Sequence, residues 1–367
     1  MSEKCAVLAA GGTGGHMFPA EALARVLQAR GWRIVLASDA RGDQYATQFP
    51  CEARLSLDAA TFGPRDPIGM VRAGVRISRG VMGAMSAFRS LNPNVVVGFG
   101  GYPAFPALVA ARLAGLASVI HEQNAVLGRV NRVMAPGASR VACAFPTLRR
   151  ASPDVQGRVR VVGNPVRPDI VALYPHPYAP PEQEIEILVT GGSQGARRLS
   201  QAVPDAMAFL PEDLRLRLKI VQQTRPETAD YARQTYAKFG VAAELAPFFR
   251  NMAERLSSAH LVIGRAGAST VSELAMAGRP AILAPLKTAM DDHQTENARL
   301  LTDCGAAIAI ADDHLSGESL AKALSEMVAT PQGLARRAAL AHGAAIVDSA
   351  ERLADLVEEA ALHPQKA

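Results

Sequence analysis

Five short stretches hold most of the residues able to do chemistry. Gly11-Gly12-Thr13-Gly14-Gly15-His16 sets an imidazole at the mouth of a glycine turn. His121-Glu122-Gln123-Asn124 ends an apolar run with four polar side chains in succession. Such a row is costly inside a core. It is ordinary at the carboxyl end of a parallel strand, where α/β proteins open their ligand crevice. Gly191-Gly192-Ser193-Gln194-Gly195 repeats the glycine turn about one domain length later. Arg265–Glu273 follows another apolar run, and a helix starting near Ala268 would aim free N–H groups at a diphosphate, with Glu273 a turn further on for ribose hydroxyls. Asp291-Asp292-His293-Gln294-Thr295-Glu296-Asn297 offers Gln294 and Asn297 as neutral partners for a sugar.

Each stretch also has a plainer meaning. The first turn can be a tight strand-to-helix connection, Asn124 a helix cap, and Ala268–Glu273 an ordinary capped helix. Asp291 and Asp292 lack the spaced third ligand a metal pair needs, so capping or sugar binding suits them better. The first turn departs from the dinucleotide fingerprint, because Met17 stands where G-x-G-x-x-G requires glycine. Asp39 keeps a ribose-binding role for that half open.

The elements that must position these residues alternate as in α/β proteins. Short Val/Ile/Ala-rich runs predict buried parallel strands at Lys4–Ala10, Arg33–Ser38, Cys51–Leu55, Val95–Gly98, Ala117–His121, Arg140–Ala144 and Val159–Val162. Helices are expected at Phe18–Ala29, Pro67–Leu91, Phe105–Ala114 and Gly128–Ala135, with Pro19 in a first turn. Gly98-Phe99-Gly100-Gly101 is a third glycine-rich strand end. Prolines 168, 175, 177, 180 and 181 mark a linker. The alternation then restarts with strands near Ile185–Thr190, Leu216–Val221, Leu261–Gly264, Ala281–Ala284 and Ala306–Ile310, and closes on an amphipathic helix, Ile346–Ala361. Two Rossmann-like parallel-sheet domains across a cleft follow: 1–164, and 165–343, with the 344–367 helix returning to the first.

The 367 residues are 49% hydrophobic and 20% charged, which suits a globular protein. The net charge of +5 is spread, and aromatics are only 5%, so anionic phosphates or an anionic membrane fit better than nucleic acid. Cys5, Cys51, Cys143 and Cys304 form no CxxC pair and read as reduced thiols. The apolar stretch Tyr102–Ile120 is interrupted by prolines and Arg112, so it reads as a buried helix and strand. Lys4 leads straight into a strand, and no signal peptide is expected. Arg72, Arg76 and Arg79 share one helical face with Val75 among the apolar residues around them. That face is either a core helix with solvated arginines or a basic, apolar patch for anionic lipid.

The ordered set GGTGGH, GGY, HEQN, GNPVR, GGSQGA, RAGASTVSE and DDHQTENA spans essentially the whole chain. It resembles the MurG family of bacterial transferases. The resemblance implies the GT-B fold and an inverting transfer of N-acetylglucosamine from UDP-GlcNAc to the 4-hydroxyl of the muramyl sugar in undecaprenyl-linked lipid I, giving lipid II for peptidoglycan. It implies that Thr13, Gly14 and Gly15 line the acceptor side and that Asn124 contacts the donor sugar. Arg167 and Ser193 would sit by the diphosphate and nucleotide, and the Phe249 backbone would read uracil. Ala268, Ser269, Thr270, Val271, Ser272 and Glu273 would hold phosphates and ribose, and Gln294 the sugar hydroxyls. It further implies a peripheral enzyme at the cytoplasmic face of the inner membrane, touching anionic lipid through Arg72, Val75, Arg76 and Arg79, with cell-wall synthesis and division proteins as partners. Ala266 departs from the serine frequent there.

On that reading His16 is the candidate base, since imidazole titrates near neutrality. Glu122 is the second candidate, with His121 orienting it. The Gly191–Gly195 and Ala268 N–H groups with Arg167 would meet the leaving-group charge. No resident metal or other cofactor is expected. A UDP-GlcNAc 2-epimerase, a nicotinamide-dependent dehydrogenase using Asp39, and a non-catalytic sugar-nucleotide binder are the alternatives.

Overall fold

The computed structural model describes residues 4–12, 14–39, 49–59, 67–192 and 197–362. Two compact units divide the chain: Met1–Arg167 with Asp348–Ala367, and Pro168–Val347. The first crossing thus lies just past the expected 164/165 break, and Arg167 belongs with the first unit.

The first unit holds seven strands: β1 (Cys5–Ala9), β2 (Arg33–Ser38), β3 (Ala53–Ser56), β4 (Val95–Gly98), β5 (Ala117–Glu122), β6 (Arg140–Cys143) and β7 (Val159–Val161). All pair in parallel, in the order β3-β2-β1-β4-β5-β6-β7. Alternation along β1 explains the layers. Ala6 and Leu8 face a cluster shared with Leu23, Leu27, Leu353 and Val357 from helices Gly14–Ala29 and Ser349–Leu362. Cys5, Val7 and Ala9 face the opposite cluster, with Ala84, Phe88, Ala107 and Leu108 from helices Pro67–Leu91 and Gly101–Leu113. With both faces covered, β1, β4 and β5 are buried along their whole length, while the edge strand β3 alternates half-buried and exposed residues. The C-terminal helix is also tied by charge: Arg30 meets Asp355 and Glu358 at 2.7 and 2.8 Å, and Trp32 Nε1 donates to Glu358 at 2.8 Å.

The second unit holds β8 (Ile185–Thr190), β9 (Leu218–Gln223), β10 (Ala242–Ala246), β11 (Leu261–Gly264), β12 (Ala281–Leu283) and β13 (Ala307–Ala309). They are again all parallel, in the order β10-β9-β8-β11-β12-β13. In both sheets the chain runs outward from the starting strand on one side and then resumes on the other. The strand order therefore reverses between β1 and β4, and between β8 and β11. Ligands of open α/β sheets bind at such reversals, beyond the carboxyl ends of the strands. The glycine turns after β1, β4 and β8 and the Arg265–Gly267 turn after β11 all lie there.

Two helices begin earlier than expected. The first runs Gly14–Ala29 rather than Phe18–Ala29, so His16 is helical and Pro19 sits one turn inside. Pro19 has no N–H to give the Gly15 carbonyl, which ties the first turn less firmly to the rest. The other starts at Gly101 rather than Phe105, after Gly100 at φ 84°.

Candidate active site

The β1/β4 reversal of the first unit is built on glycines because neighbours crowd its backbone. A Cβ on Gly11 would lie 2.7 Å from Asp39 Oδ1 and 2.9 Å from Pro103, so Asp39 packs against this turn. Gly12 has φ 82°. His16 follows on the first helical turn, half-buried. Its ring lies against Gly100 and Gly101, where a Cβ would come within 3.5 Å of Cε1 and 3.3 Å of Nε2. Thr13 lies outside the described residues.

His16 is joined to the end of β5. Its Nδ1 is 3.1 Å from Gln123 Oε1. Gln123 Nε2 reaches His121 Nδ1 at 3.0 Å and the His121 carbonyl at 3.1 Å, and His121 Nε2 is 3.0 Å from the Gly163 carbonyl. Burial pushes the His121 imidazole down to about 4, so it is neutral at physiological pH. His121 therefore supports Gln123, not Glu122, and the expected orienting role toward Glu122 is corrected.

Glu122 is 2% exposed and accepts four hydrogen bonds: from the Asn124 N–H (3.0 Å) and side chain (3.2 Å), the Gly128 N–H (2.9 Å) and Asn131 Nδ2 (2.8 Å). A carboxylate offers about four acceptor positions, so both its oxygens are committed to the protein. Asn124 is held by this carboxylate and is not a helix cap. The next helix, Arg129–Met134, is preceded by Gly128.

In the second unit the turn after β8 satisfies itself. Gln223 Oε1 accepts from the Gly191 N–H (3.1 Å) and the Thr190 hydroxyl (3.2 Å), and the Gly192 N–H reaches Thr190 Oγ1 (3.3 Å). Gln223 Nε2 donates to the Gly192 and Pro247 carbonyls at 3.3 and 3.2 Å. The expected role of the Gly191 and Gly192 N–H groups on a leaving group is thus corrected, because both are used internally. Ser193, Gln194 and Gly195 lie outside the described residues. Gln223 escaped the sequence reading, since only the fold brings the end of β9 to this turn. Its bond to Pro247 also anchors the strand end that carries Phe248 and Phe249. Phe249 is buried beneath the Arg255 guanidinium, 5.2 Å from its ring, while Phe248 is exposed.

Beyond β11, the helix Ala268–Met276 begins after Gly267 with no side-chain cap. Its first N–H groups have no intrahelical acceptors. Ser269, Thr270, Ser272 and Glu273 are half-buried there, while Val271 is buried. Asn297 is fully buried and donates to the Ala266 carbonyl at 3.2 Å. It fixes the turn and is withdrawn as a sugar ligand. Arg265 reaches the Ala284 carbonyl (2.9 Å) and Asp312 (2.6 Å), a second support for the same turn. Gln294 is half-buried, with Oε1 accepting from the Leu286 N–H at 3.0 Å. Asp291 and Asp292 adopt φ 56° and 54°, and Asp292 accepts from Thr295 at 2.7 Å. Among the described residues no three His, Cys, Asp or Glu side chains gather as metal ligands.

Helix Pro67–Leu91 buries Ala73, Gly80, Ala84 and Phe88. It exposes Arg72, Arg76 and Arg79 together with Val71 (69%), Val75 (48%) and Met82 (70%). Among the described residues no helix is long and apolar enough to cross a membrane.

The sequence matches the glycosyltransferase family 28 N-terminal domain over residues 6–143 and the glycosyltransferase family 28 C-terminal domain over residues 186–353. It is 58% identical over 360 residues to the UDP-N-acetylglucosamine–N-acetylmuramyl-(pentapeptide) pyrophosphoryl-undecaprenol N-acetylglucosamine transferase of Phenylobacterium zucineum, covering 98% of this chain and 99% of that one. The transferase of the same description from Caulobacter vibrioides is 57% identical, with 98% and 99% covered. The crystal structure of Acinetobacter baumannii MurG superposes with a TM-score of 0.79 at 31% identity, over 97% of this chain and 99% of that one. The chain belongs to the MurG family. It is a glycosyltransferase, and its two Rossmann-like units have the GT-B fold. Two features follow for a MurG-family chain. Ala266 is wholly buried, so its methyl points into protein. Arg167 is half-buried in the first unit, its guanidinium 5.4 Å from the Phe18 ring.

Proposed function

We propose that this protein transfers N-acetylglucosamine from UDP-GlcNAc to the 4-hydroxyl of the muramyl sugar in undecaprenyl-diphospho-N-acetylmuramyl-pentapeptide, forming lipid II. The near-full-length identity to transferases of that description carries the reading. His16 Nε2 takes the proton as the hydroxyl oxygen attacks the anomeric carbon. The bond from that carbon to the UDP oxygen breaks with inversion, and UDP leaves with the electron pair. The available nitrogen of His16 and the four committed positions of Glu122 support His16 over Glu122 as base. Leaving-group charge is met by the uncapped N–H groups at Ala268, Ser269 and Thr270, with Arg167. Glu273 takes the ribose hydroxyls, the Phe249 backbone the uracil, and Gln294 and Asn124 the sugar. Thr13, Gly14, Gly15 and Ser193 keep the binding roles the resemblance implies, and fixed dipoles stand in place of a metal.

The exposed arginines of Pro67–Leu91 and the apolar Val71, Val75 and Met82 beside them support docking on an anionic membrane surface, where the lipid acceptor resides. The test is radiolabelled UDP-GlcNAc with a short-chain lipid I analogue. Labelled lipid product and UDP are expected. Labelled free sugar would mean a 2-epimerase, and binding without turnover a sugar-nucleotide binder. General-base catalysis is worth ~10²–10⁴-fold, so His16→Ala should lower turnover by about that factor while UDP-GlcNAc binds nearly as before. Turnover equal to the parent's would remove His16 from the mechanism.

A further inference from the structure

We infer that Gln123 and His121 are positioning residues that hold His16 in one tautomer, with its proton on Nδ1 and its lone pair on Nε2. The argument is one of hydrogen-bond polarity, and it starts at a group with no choice. The Gly163 carbonyl only accepts, so His121 Nε2, 3.0 Å away, must carry a proton. His121 is fully buried and neutral, which leaves Nδ1 as a lone pair. Gln123 Nε2 faces that lone pair at 3.0 Å and the His121 carbonyl at 3.1 Å. Two acceptors meet its two N–H groups. Turning the amide over would set Oε1 against both and leave two buried conflicts. Oε1 is therefore the atom presented to His16, at 3.1 Å from Nδ1, and it accepts the Nδ1 proton.

Neutral histidine in water favours the opposite tautomer. Here the backbone carbonyl of Gly163 reverses that preference through two side chains. Gln123 is 2% exposed, and His121 is flanked by the Phe99 ring at 5.7 Å, so the relay is rigid. Gly100 and Gly101 complete it, because their missing Cβ atoms let the His16 ring lie against backbone with Nε2 on the Gly101 side. A lone pair on Nε2 is what proton abstraction needs, so the catalytic meaning of the relay rests on the base assignment above. Its structural content does not.

The experiment uses the full-length protein with ring-¹⁵N-labelled histidine, recorded at about pH 8 so that imidazoles are neutral. His16→Ala identifies the signal. The expected His16 pattern is a protonated Nδ1 and an unprotonated Nε2. In Gln123→Leu the Nε2-protonated form should appear and kcat should fall about tenfold or more, part of what a base contributes, with KM for UDP-GlcNAc within about twofold. Gln123→Glu keeps an acceptor at Nδ1 but sets an oxygen against the His121 lone pair and carbonyl. It too should lose the parental pattern and turn over more slowly than the parent; an unchanged pattern and rate there would overturn the inference. A proton on Nε2 of His16 in the parent overturns the inference without any variant, and so does an unchanged pattern in folded Gln123→Leu. If the parent shows the Nδ1 proton but His16→Ala keeps full turnover, the base assignment fails and the relay stands.

Discussion

Replacing Glu122 separates two jobs a carboxylate at this position can have. In Glu122→Ala the backbone N–H groups of Asn124 and Gly128 and the Asn131 amide all lose their acceptor. Leaving a buried donor unsatisfied costs about 1–3 kcal/mol. Two of the three are main-chain groups that cannot turn elsewhere, and water entering the vacated space recovers part of the cost. A loss of about 3–5 kcal/mol is expected, at the upper end for single substitutions. At about 2–4 °C per kcal/mol for a domain of this size, the first unit should melt roughly 6–20 °C earlier. Glu122→Gln should rescue little, because its new N–H groups would face donors at Gly128 or Asn131. The assay is thermal unfolding by circular dichroism, with turnover measured well below both midpoints. If Glu122→Ala melts with the parent and yet loses turnover a hundredfold, the carboxylate is chemical rather than structural and the reasoning is refuted.

Other outcomes follow from the same geometry. His121 binds its proton with a pKa of about 4 when folded and 6.5 when unfolded, so stability is full above 6.5 and drains as pH falls toward 4; the gap is worth about 3 kcal/mol. Denaturant titrations from pH 7.5 to 4 should show that loss, and His121→Gln should flatten it; an equal slope in both would remove His121 as the cause. Gln223→Leu frees the Gly191–Gly192 turn and the Pro247 carbonyl together, so KM for UDP-GlcNAc should rise about tenfold, reflecting a ground-state loss; unchanged kinetics would make the clamp idle. Exchanging Arg72, Arg76 and Arg79 for glutamine should weaken binding to anionic vesicles about a hundredfold, at about 1 kcal/mol per basic residue, while turnover of a water-soluble acceptor is kept. Equal vesicle binding by sedimentation would refute the lipid-facing role of that helix.

Much of the scaffold was legible because buried parallel strands write themselves as continuous apolar runs. β2, β4, β8 and β11 fall where Arg33–Ser38, Val95–Gly98, Ile185–Thr190 and Leu261–Gly264 predicted them. β10 was missed for the converse reason. Its sequence, Ala-Ala-Glu-Leu-Ala, lies at a sheet edge with the first three residues exposed, so burial left no pattern in it. The start of the first helix was misread at Phe18 because Gly14 and Gly15 are poor helix formers, and there the fold outweighs propensity. Side-chain partnerships were the least legible. His16 and Gln123 stand 107 residues apart, and Asn297 and Ala266 stand 31 apart. No local spacing announces either pair. The polar row at residues 121–124 was recognisable as a polar strand end, yet the sequence could not divide it into the His121–Gln123 hydrogen-bond chain and the internally satisfied Glu122.

The two units share a topology and differ in what they place at its reversal point, and this difference underlies the division of chemistry proposed above. In the first unit the turn after β1 runs directly into a helix whose first turn carries His16, and the end of β5 supplies the groups that fix that imidazole. In the second unit the matching turn after β8 spends its Gly191 and Gly192 N–H groups on Gln223 and Thr190. The capacity for anions moves to the next strand, where Asn297 holds the Ala266 carbonyl and Arg265 is tied to Asp312, leaving the helix at Ala268 rigidly supported from behind and uncapped in front. A helix start held by buried side chains loses little when an anion binds, because its dipoles are already aligned. On the proposed reading, a proton acceptor and an anion receiver arise from one strand-turn-helix plan. The buried amides, Gln123 in one unit and Gln223 with Asn297 in the other, decide which of the two each turn becomes.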